Sequence, residues 1–140
     1  MDFLPPRKTF HLLAFGTEEC ENTIAKSVVN TSKENWEIQL REALGNEFIP
    51  LASQTLQAIH LIVFVHEALF PIISDVQAGV VSCGVGDTLG NKGSVAVGCN
   101  VGNTSILFLN CHLAAGQKNV MMRNRDYVRS ETLMSMCPSG

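Results

Sequence analysis

The pattern of apolar and polar positions predicts two helices near the start of the chain, after one short buried strand at residues 9–15. Carboxylates follow Thr17, a good N-cap residue, and predict a first helix over residues 18–28. Apolar side chains then recur at helical spacing over residues 33–44, which predicts a second helix that Gly45 ends. The first third of the chain is therefore expected to be mainly helical.

Beyond residue 47, β-branched and apolar runs separated by glycine-bearing turns predict strands. Their predicted spans are 48–57, 59–65, 76–85, 93–100 and 104–111. Val101-Gly102-Asn103 predicts a tight hairpin between the last two, and residues 117–133 have a helical pattern. Several strands, such as 59–65, are apolar at nearly every position and should be covered on both faces. The pattern indicates an α/β layered domain in which the helices cover one face of a sheet and leave the other bare.

The composition is that of one globular domain in a reducing compartment. The 140 residues are 46% hydrophobic and 16% charged, enough to bury a core. The most apolar stretch, residues 58–73, is interrupted by two histidines and a glutamate, so it does not predict a membrane span. Two prolines near the start argue against a signal peptide. Five cysteines without a CxxC pair favour free thiols over a disulfide or zinc set. The expected location is the cytoplasm, including the cytosolic face of a membrane.

The net charge of −3 argues against a nucleic-acid-binding surface. Positive charge is nevertheless concentrated near the end of the chain, at Lys118, Arg123, Arg125 and Arg129. Such a cluster is equally typical of a solvated helix face and of an anion-binding site.

Carboxylates and a histidine stand at two predicted strand ends. Glu18 and Glu19 follow the first strand, where their oxygens could hold a hard cation such as Mg²⁺, although acidic residues are also common at a helix start. His112 ends an apolar strand and is followed by small residues, so its imidazole is well placed to contact a phosphoryl oxygen or to transfer a proton. The glycine-rich segment 84–93 either cradles phosphate with Asn91 and Lys92 or is a plain hairpin loop.

Taken together, these segments carry a family resemblance. Asn91-Lys92-Gly93, His112-Leu113-Ala114-Ala115-Gly116 and Arg123-Asn124-Arg125-Asp126-Tyr127, in this order and at these separations, resemble the inositol-polyphosphate 5-phosphatase family. Gly16-Thr17-Glu18-Glu19 stands where that family usually has Gly-Phe-Gln-Glu. The resemblance runs from about residue 10 to residue 129, and its specific part is 84–127.

The resemblance implies a DNase I-like α/β sandwich, here partial, with a mixed sheet, flanking helices and most of the second sheet missing. It also implies Mg²⁺-dependent hydrolysis of the 5-phosphate of a phosphoinositide lipid or soluble inositol polyphosphate, with peripheral membrane contact. In family terms Glu19 matches the magnesium ligand and His112 the catalytic histidine. The inositol-phosphate pocket would be shaped by four residues, namely Asn91, Lys92, Arg123 and Asn124.

The chain also departs from the family pattern. The family's Gly-Asp-Leu-Asn, Cys-Asp-Arg and Ser-Asp-His segments do not occur, and the residue before the metal-binding glutamate is Glu18. We therefore expect a truncated, weakly active or inactive 5-phosphatase domain over residues 9–134, with a disordered segment 1–8, a frayed tail 135–140 and self-association through an exposed sheet face. The alternatives are a catalytically dead inositol-phosphate-binding or partner-binding module, or a nuclease of the same fold. The family segments and the acidity argue against the nuclease.

Overall fold

The computed structural model describes residues 10–19, 33–83 and 92–137. The helices and strands of that part are, in chain order, β1 Leu12–Glu18, α1 Glu34–Leu44, β2 Phe48–Leu56, β3 Ile59–His66, β4 Ile73–Ser82, β5 Gly93–Val101, β6 Thr104–His112 and α2 Val120–Ser130. Short 3₁₀ turns lie at Phe70–Ile72 and Glu131–Met136. The predicted segment 1–8, most of the predicted helix 18–28 and residues 138–140 lie outside the described residues. Within the described part, neither helix is long and apolar enough to cross a membrane.

The described strands form two antiparallel sheets of three strands each. The first has the order β1-β3-β2 and the second β4-β5-β6. β1 pairs with β3 along its whole length, from Leu12 opposite Val65 to Glu18 opposite Ile59. The sequence predicts that this strand ends at residue 15 and that a helix starts at residue 18. β1 instead continues through Glu18, because pairing with β3 satisfies the backbone groups that a helix start would leave open.

Residues of β3 alternate between two hydrophobic cores. Ile62 and Phe64 pack against α1, with Leu40, Leu44 and Phe48. Ile59, Leu61 and Val63 face the second sheet and pack against Val95 and Val97 of β5. β3 is buried on both faces because α1 covers one and the second sheet covers the other, as the apolar run 59–65 predicts.

The predicted α/β class and the packing of two sheets as a sandwich are confirmed, while the distribution of strands differs from the expected one. The expected arrangement was a mixed sheet with most of the second sheet missing, whereas three strands of each sheet are present and all described pairs are antiparallel. Their inner faces pack against each other, so β3 is covered on the face that was expected to be bare. The strand predicted over 76–85 is Ile73–Ser82, and it is largely exposed because it is an edge strand; Val76 and Val80 are each 41% exposed.

Candidate active site

The ends of β1 and β6 meet between the two sheets. Strand alternation places Gly16 and Glu18 of β1 on the face that looks toward β6, since Leu12 on that face packs in the inter-sheet core. On β6, Asn110 and His112 share a face with Phe108, which packs in the same core. The carboxylate predicted from one strand end and the histidine predicted from the other are therefore brought together by packing of the sheets.

His112 lies between a cation and an anion. Its Nε2 is 2.6 Å from Nζ of Lys92 and 3.7 Å from Oε2 of Glu18. A lysine ammonium has donors only, so Nε2 accepts in this arrangement and the ring proton is on Nδ1. Nδ1 is buried and has no hydrogen-bond partner among the described residues. In this arrangement Lys92 donates to Nε2, while the Glu18 carboxylate lies beside the same nitrogen without a hydrogen bond to it.

Asn110 links the two sheets directly beneath this cluster. Its Nδ2 donates to the carbonyl oxygens of Thr17 in β1, at 3.1 Å, and of His60 in β3, at 3.0 Å. The side chain fits because Gly16 has no Cβ; one added there would lie 3.0 Å from the Asn110 Cγ. One amide thus fixes the position of β1, two residues before the predicted metal ligand, relative to β6.

The backbone at the position after Lys92 requires a glycine, Gly93. It pairs with His112 across the sheet and has φ +152°, a conformation that side chains disfavour. A Cβ there would lie 2.3 Å from the Val81 carbonyl oxygen. The close approach of β4 and β5 at this point places Lys92 beside the end of β6, within reach of His112.

Glu19 and Glu18 have different positions. Glu19 has φ +55° and lies just past the strand, where its amide donates to the Ala58 carbonyl oxygen at 2.8 Å. Both residues are exposed, and Glu18 is the one whose carboxylate reaches His112. Among the described residues there is no group of three His, Cys, Asp or Glu that could hold a metal ion. The carboxylates at this strand end fit a hydrated Mg²⁺ that is held by one of them. This ion commonly binds in that way, with substrate phosphates completing its coordination shell.

Of the other predicted pocket residues, the two that the structure describes, Arg123 and Asn124, lie on α2. The Arg123 guanidinium donates to backbone carbonyls of the loop after β6, at Ala114, Gly116 and Gln117. Asn124 is exposed on α2. Asn91 lies outside the described residues.

Sequence reasoning missed Asn110 and Asp126, and it predicted Glu18 as a possible ligand of a hard cation, not as a contact of His112. Asn110 is two positions before His112 on an otherwise apolar strand, a spacing that puts both side chains on one face and could have indicated its role. Asp126 is buried, and its Oδ2 accepts from the Ala114 amide at 2.9 Å. That contact has no local signal, because helix and loop are brought together only by tertiary packing.

The other histidines lie within or beside strands. His60 is fully buried on β3, where its Nδ1 is 2.8 Å from Thr55 Oγ1 and its Nε2 is 3.4 Å from a carboxylate oxygen of Glu37. Desolvation lowers the pKa of His60 below 6.5, although Glu37 partly offsets that effect. His60 therefore belongs to the core that joins α1 to the first sheet.

Comparison with known proteins places this arrangement in a class. Residues 2–138 match the model of Endonuclease/Exonuclease/phosphatase family 2. The chain belongs to this family, and the resemblance to the inositol-polyphosphate 5-phosphatases is confirmed.

Individual relatives make the similarity more specific. The chain is 36% identical over 138 residues to synaptojanin-1 of Rattus norvegicus, covering 95% of this chain and 9% of the relative. It is 36% identical over 117 residues to phosphatidylinositol 3,4,5-trisphosphate 5-phosphatase 2A of Danio rerio, covering 84% of this chain and 9% of the relative. The crystal structure of the inositol polyphosphate 5-phosphatase domain of SPsynaptojanin, in complex with inositol (1,4)-bisphosphate and calcium ion, matches with a TM-score of 0.70 and 26% identity. That match covers 85% of this chain and 35% of the solved one. The chain thus spans about a tenth of these curated relatives and a third of the solved domain.

Proposed function

We propose that this chain takes part in Mg²⁺-dependent hydrolysis of the 5-phosphate of inositol lipids or soluble inositol polyphosphates. The observation that carries the proposal is the contact of His112 with Lys92 and Glu18 where the ends of β1 and β6 meet. Family membership and the inositol bisphosphate in the structure of the SPsynaptojanin domain support the same substrate class.

Each side chain has a role that its chemistry allows. The Lys92 ammonium neutralises a phosphate oxygen, which would replace His112 as its partner. His112, released from Lys92, would donate a hydrogen bond to the phosphoryl group from Nε2, which requires the ring proton to be on that nitrogen in place of Nδ1. Glu19 would hold Mg²⁺, which supplies positive charge where negative charge develops on the phosphate. Its exposed position would let metal and substrate approach together.

We further propose that the chain alone hydrolyses phosphate only slowly. The family's Gly-Asp-Leu-Asn and Ser-Asp-His segments do not occur in this sequence, and removing members of one catalytic unit usually removes most of its rate enhancement. Action in the cytoplasm, with peripheral contact at a membrane that presents the lipid headgroup, is part of the same proposal.

The test measures phosphate release from a 5-phosphorylated inositol lipid in vesicles and from a soluble inositol polyphosphate, each with Mg²⁺. We expect a trace rate that His112→Ala abolishes and that His11→Ala, the matched exposed histidine before β1, leaves unchanged. A rate of about 1 per second or more would contradict the slow-hydrolysis proposal, since that is ordinary enzyme turnover. A trace rate equal in wild type and His112→Ala would contradict the catalytic role.

The second candidate is a binding module without activity, favoured by the Lys92 ammonium, which can bind a phosphate whether or not hydrolysis follows. Calorimetry with inositol (1,4)-bisphosphate separates the two. Binding that Lys92→Gln weakens, with no His112-dependent phosphate release, would favour the module. Added salt should weaken this binding because exposed charge contacts are screened.

A further inference from the structure

The side of α2 that packs against the rest of the protein is polar. Asn119, the N-cap residue just before α2, is four residues from Arg123, which is three from Asp126, so the three lie on one side of the helix. Asp126 and Ser130 are the buried residues of α2, whereas Met121 is 86% and Val128 61% exposed. Burying polar groups is unfavourable unless they are hydrogen-bonded, so the buried face must be matched by specific partners.

Ser130 contacts the Ser94 hydroxyl of β5 at 2.6 Å. The partners of the other three side chains are backbone groups of the loop that follows His112, residues 113–117. The Ala114 amide donates to Asp126 Oδ2 at 2.9 Å in a buried contact. Nη1 of Arg123 donates to the carbonyl oxygens of Ala114, at 3.3 Å, and Gly116, at 2.5 Å, while Nη2 is 3.5 Å from that of Gln117. Asn119 Nδ2 donates to the Ala115 carbonyl oxygen at 2.7 Å. Four consecutive loop residues are thus held by three side chains of one helix face.

The loop is shaped for these contacts. Gly116 has φ +96°, and a Cβ on it would lie 3.0 Å from Asn119 Nδ2. The pairing of β5 with β6 ends at Gly93 opposite His112, so the strand ladder does not hold the backbone beyond His112. Two residues later, Asp126 holds the backbone by accepting a hydrogen bond from the Ala114 amide. The direction in which the chain leaves His112 is therefore set by α2.

We propose that Asn119, Arg123 and Asp126 are positioning residues that fix the loop after His112 and thereby the orientation of its imidazole. Arg123 then acts on the site through backbone carbonyls and is not a phosphate ligand, in contrast to the role that the family resemblance implies. The inference rests on the proposed function only in taking His112 as a catalytic residue. The contacts themselves can be tested without substrate.

The experiment uses the full isotope-labelled chain and measures two quantities by nuclear magnetic resonance. The first is hydrogen exchange at the Ala114 amide, and the second is the chemical shift of the His112 ring, with the His66 ring as internal reference. We expect Asp126→Ala to speed Ala114 exchange about tenfold or more, since a hydrogen bond to a charged group is lost. Asp126→Asn keeps an acceptor and should have a smaller effect, which preserves the test if the alanine variant does not fold.

Two further variants separate positioning from charge. Arg123→Gln and Gly116→Ala should both shift the His112 ring and leave the His66 ring unchanged, although only the first removes a charge. Arg123→Lys should restore part of the wild-type shift, because lysine can still donate to a loop carbonyl. Arg125→Gln removes a charge from an exposed position on the same helix and should change neither readout.

Unchanged Ala114 exchange in Asp126→Ala and an unchanged His112 ring in Arg123→Gln would overturn the proposal. Titration with inositol (1,4)-bisphosphate adds an independent arm. If the Arg123 guanidinium resonances shift as strongly as the Lys92 ammonium resonance, Arg123 is a phosphate ligand and the proposal is wrong in that part. If wild type does not bind this ligand, the proposed function fails, while the exchange and ring measurements still decide the positioning role.

Discussion

The link that Asn110 makes between the sheets predicts an energetic coupling to Gly16. Asn110→Ala removes two hydrogen bonds, to the carbonyl oxygens of Thr17 and His60. A net contribution of about 1 kcal/mol per bond, plus the cost of leaving a carbonyl unsatisfied, gives a loss of about 2–3 kcal/mol in the free energy of unfolding. Asn110→Asp keeps the size but removes the donor, and should cost at least as much.

Gly16→Ala should act through the same side chain. The new Cβ would lie 3.0 Å from the Asn110 Cγ, so the amide must move and weaken both bonds, at a cost of about 1–2 kcal/mol. In the Asn110→Ala background the amide that the new Cβ would displace is absent. Alanine should then be neutral or stabilising by about 0.5–1 kcal/mol, because glycine is unfavourable within a strand. The double-mutant cycle should therefore give a coupling of about 1–3 kcal/mol.

Urea unfolding followed by fluorescence of Trp36, the single tryptophan, measures all four variants. Trp36 packs against the core formed by α1 and β3, so its signal reports loss of that core. The denaturant slope should be unchanged, which assigns the effect to the native state. Additive costs within about 0.5 kcal/mol, or an Asn110→Ala cost below that value, would refute this account of the contact between the sheets.

Three further predictions follow from single residues. The pKa of His60 is below 6.5 in the folded state, so the unfolded state takes up the proton first; stability should be full above about pH 6.5 and decline as the pH falls below it. In His60→Gln the urea midpoint should fall less as the pH is lowered. A pH dependence of the midpoint equal to that of wild type would contradict the burial argument. Gly93→Ala should lower the free energy of unfolding by about 2 kcal/mol or more, since its Cβ would lie 2.3 Å from a backbone oxygen. An unchanged urea midpoint would exclude that contact. Burial raises the pKa of the Cys99 thiol, so iodoacetamide at pH 8 should label Cys99 much more slowly in the folded than in the urea-unfolded chain; equal rates would show that the thiol is accessible.

Local patterns in the sequence account for most of the elements. The helix ending at Gly45, the hairpin at Val101-Gly102-Asn103 and the continuous apolar run of β3 each depend on short-range chemistry, and each is found. Segment order was enough to indicate the family, because His112 and its neighbours keep a recognisable spacing. Strand ends were less predictable: β1 runs through Glu18 because pairing with β3 outweighs the local N-cap signal at Thr17.

Packing decided what the pattern left open. The sequence cannot tell that Glu18, and not Glu19, faces His112, because that depends on where β1 ends and which of its faces meets β6. Nor can it show that Asn110 binds two carbonyls of another sheet, 50 and 93 residues away along the chain. The same holds for Arg123, whose guanidinium suits phosphate and carbonyl oxygens alike. A residue's type fixes which bonds it can make, whereas the fold alone fixes which partner lies within reach.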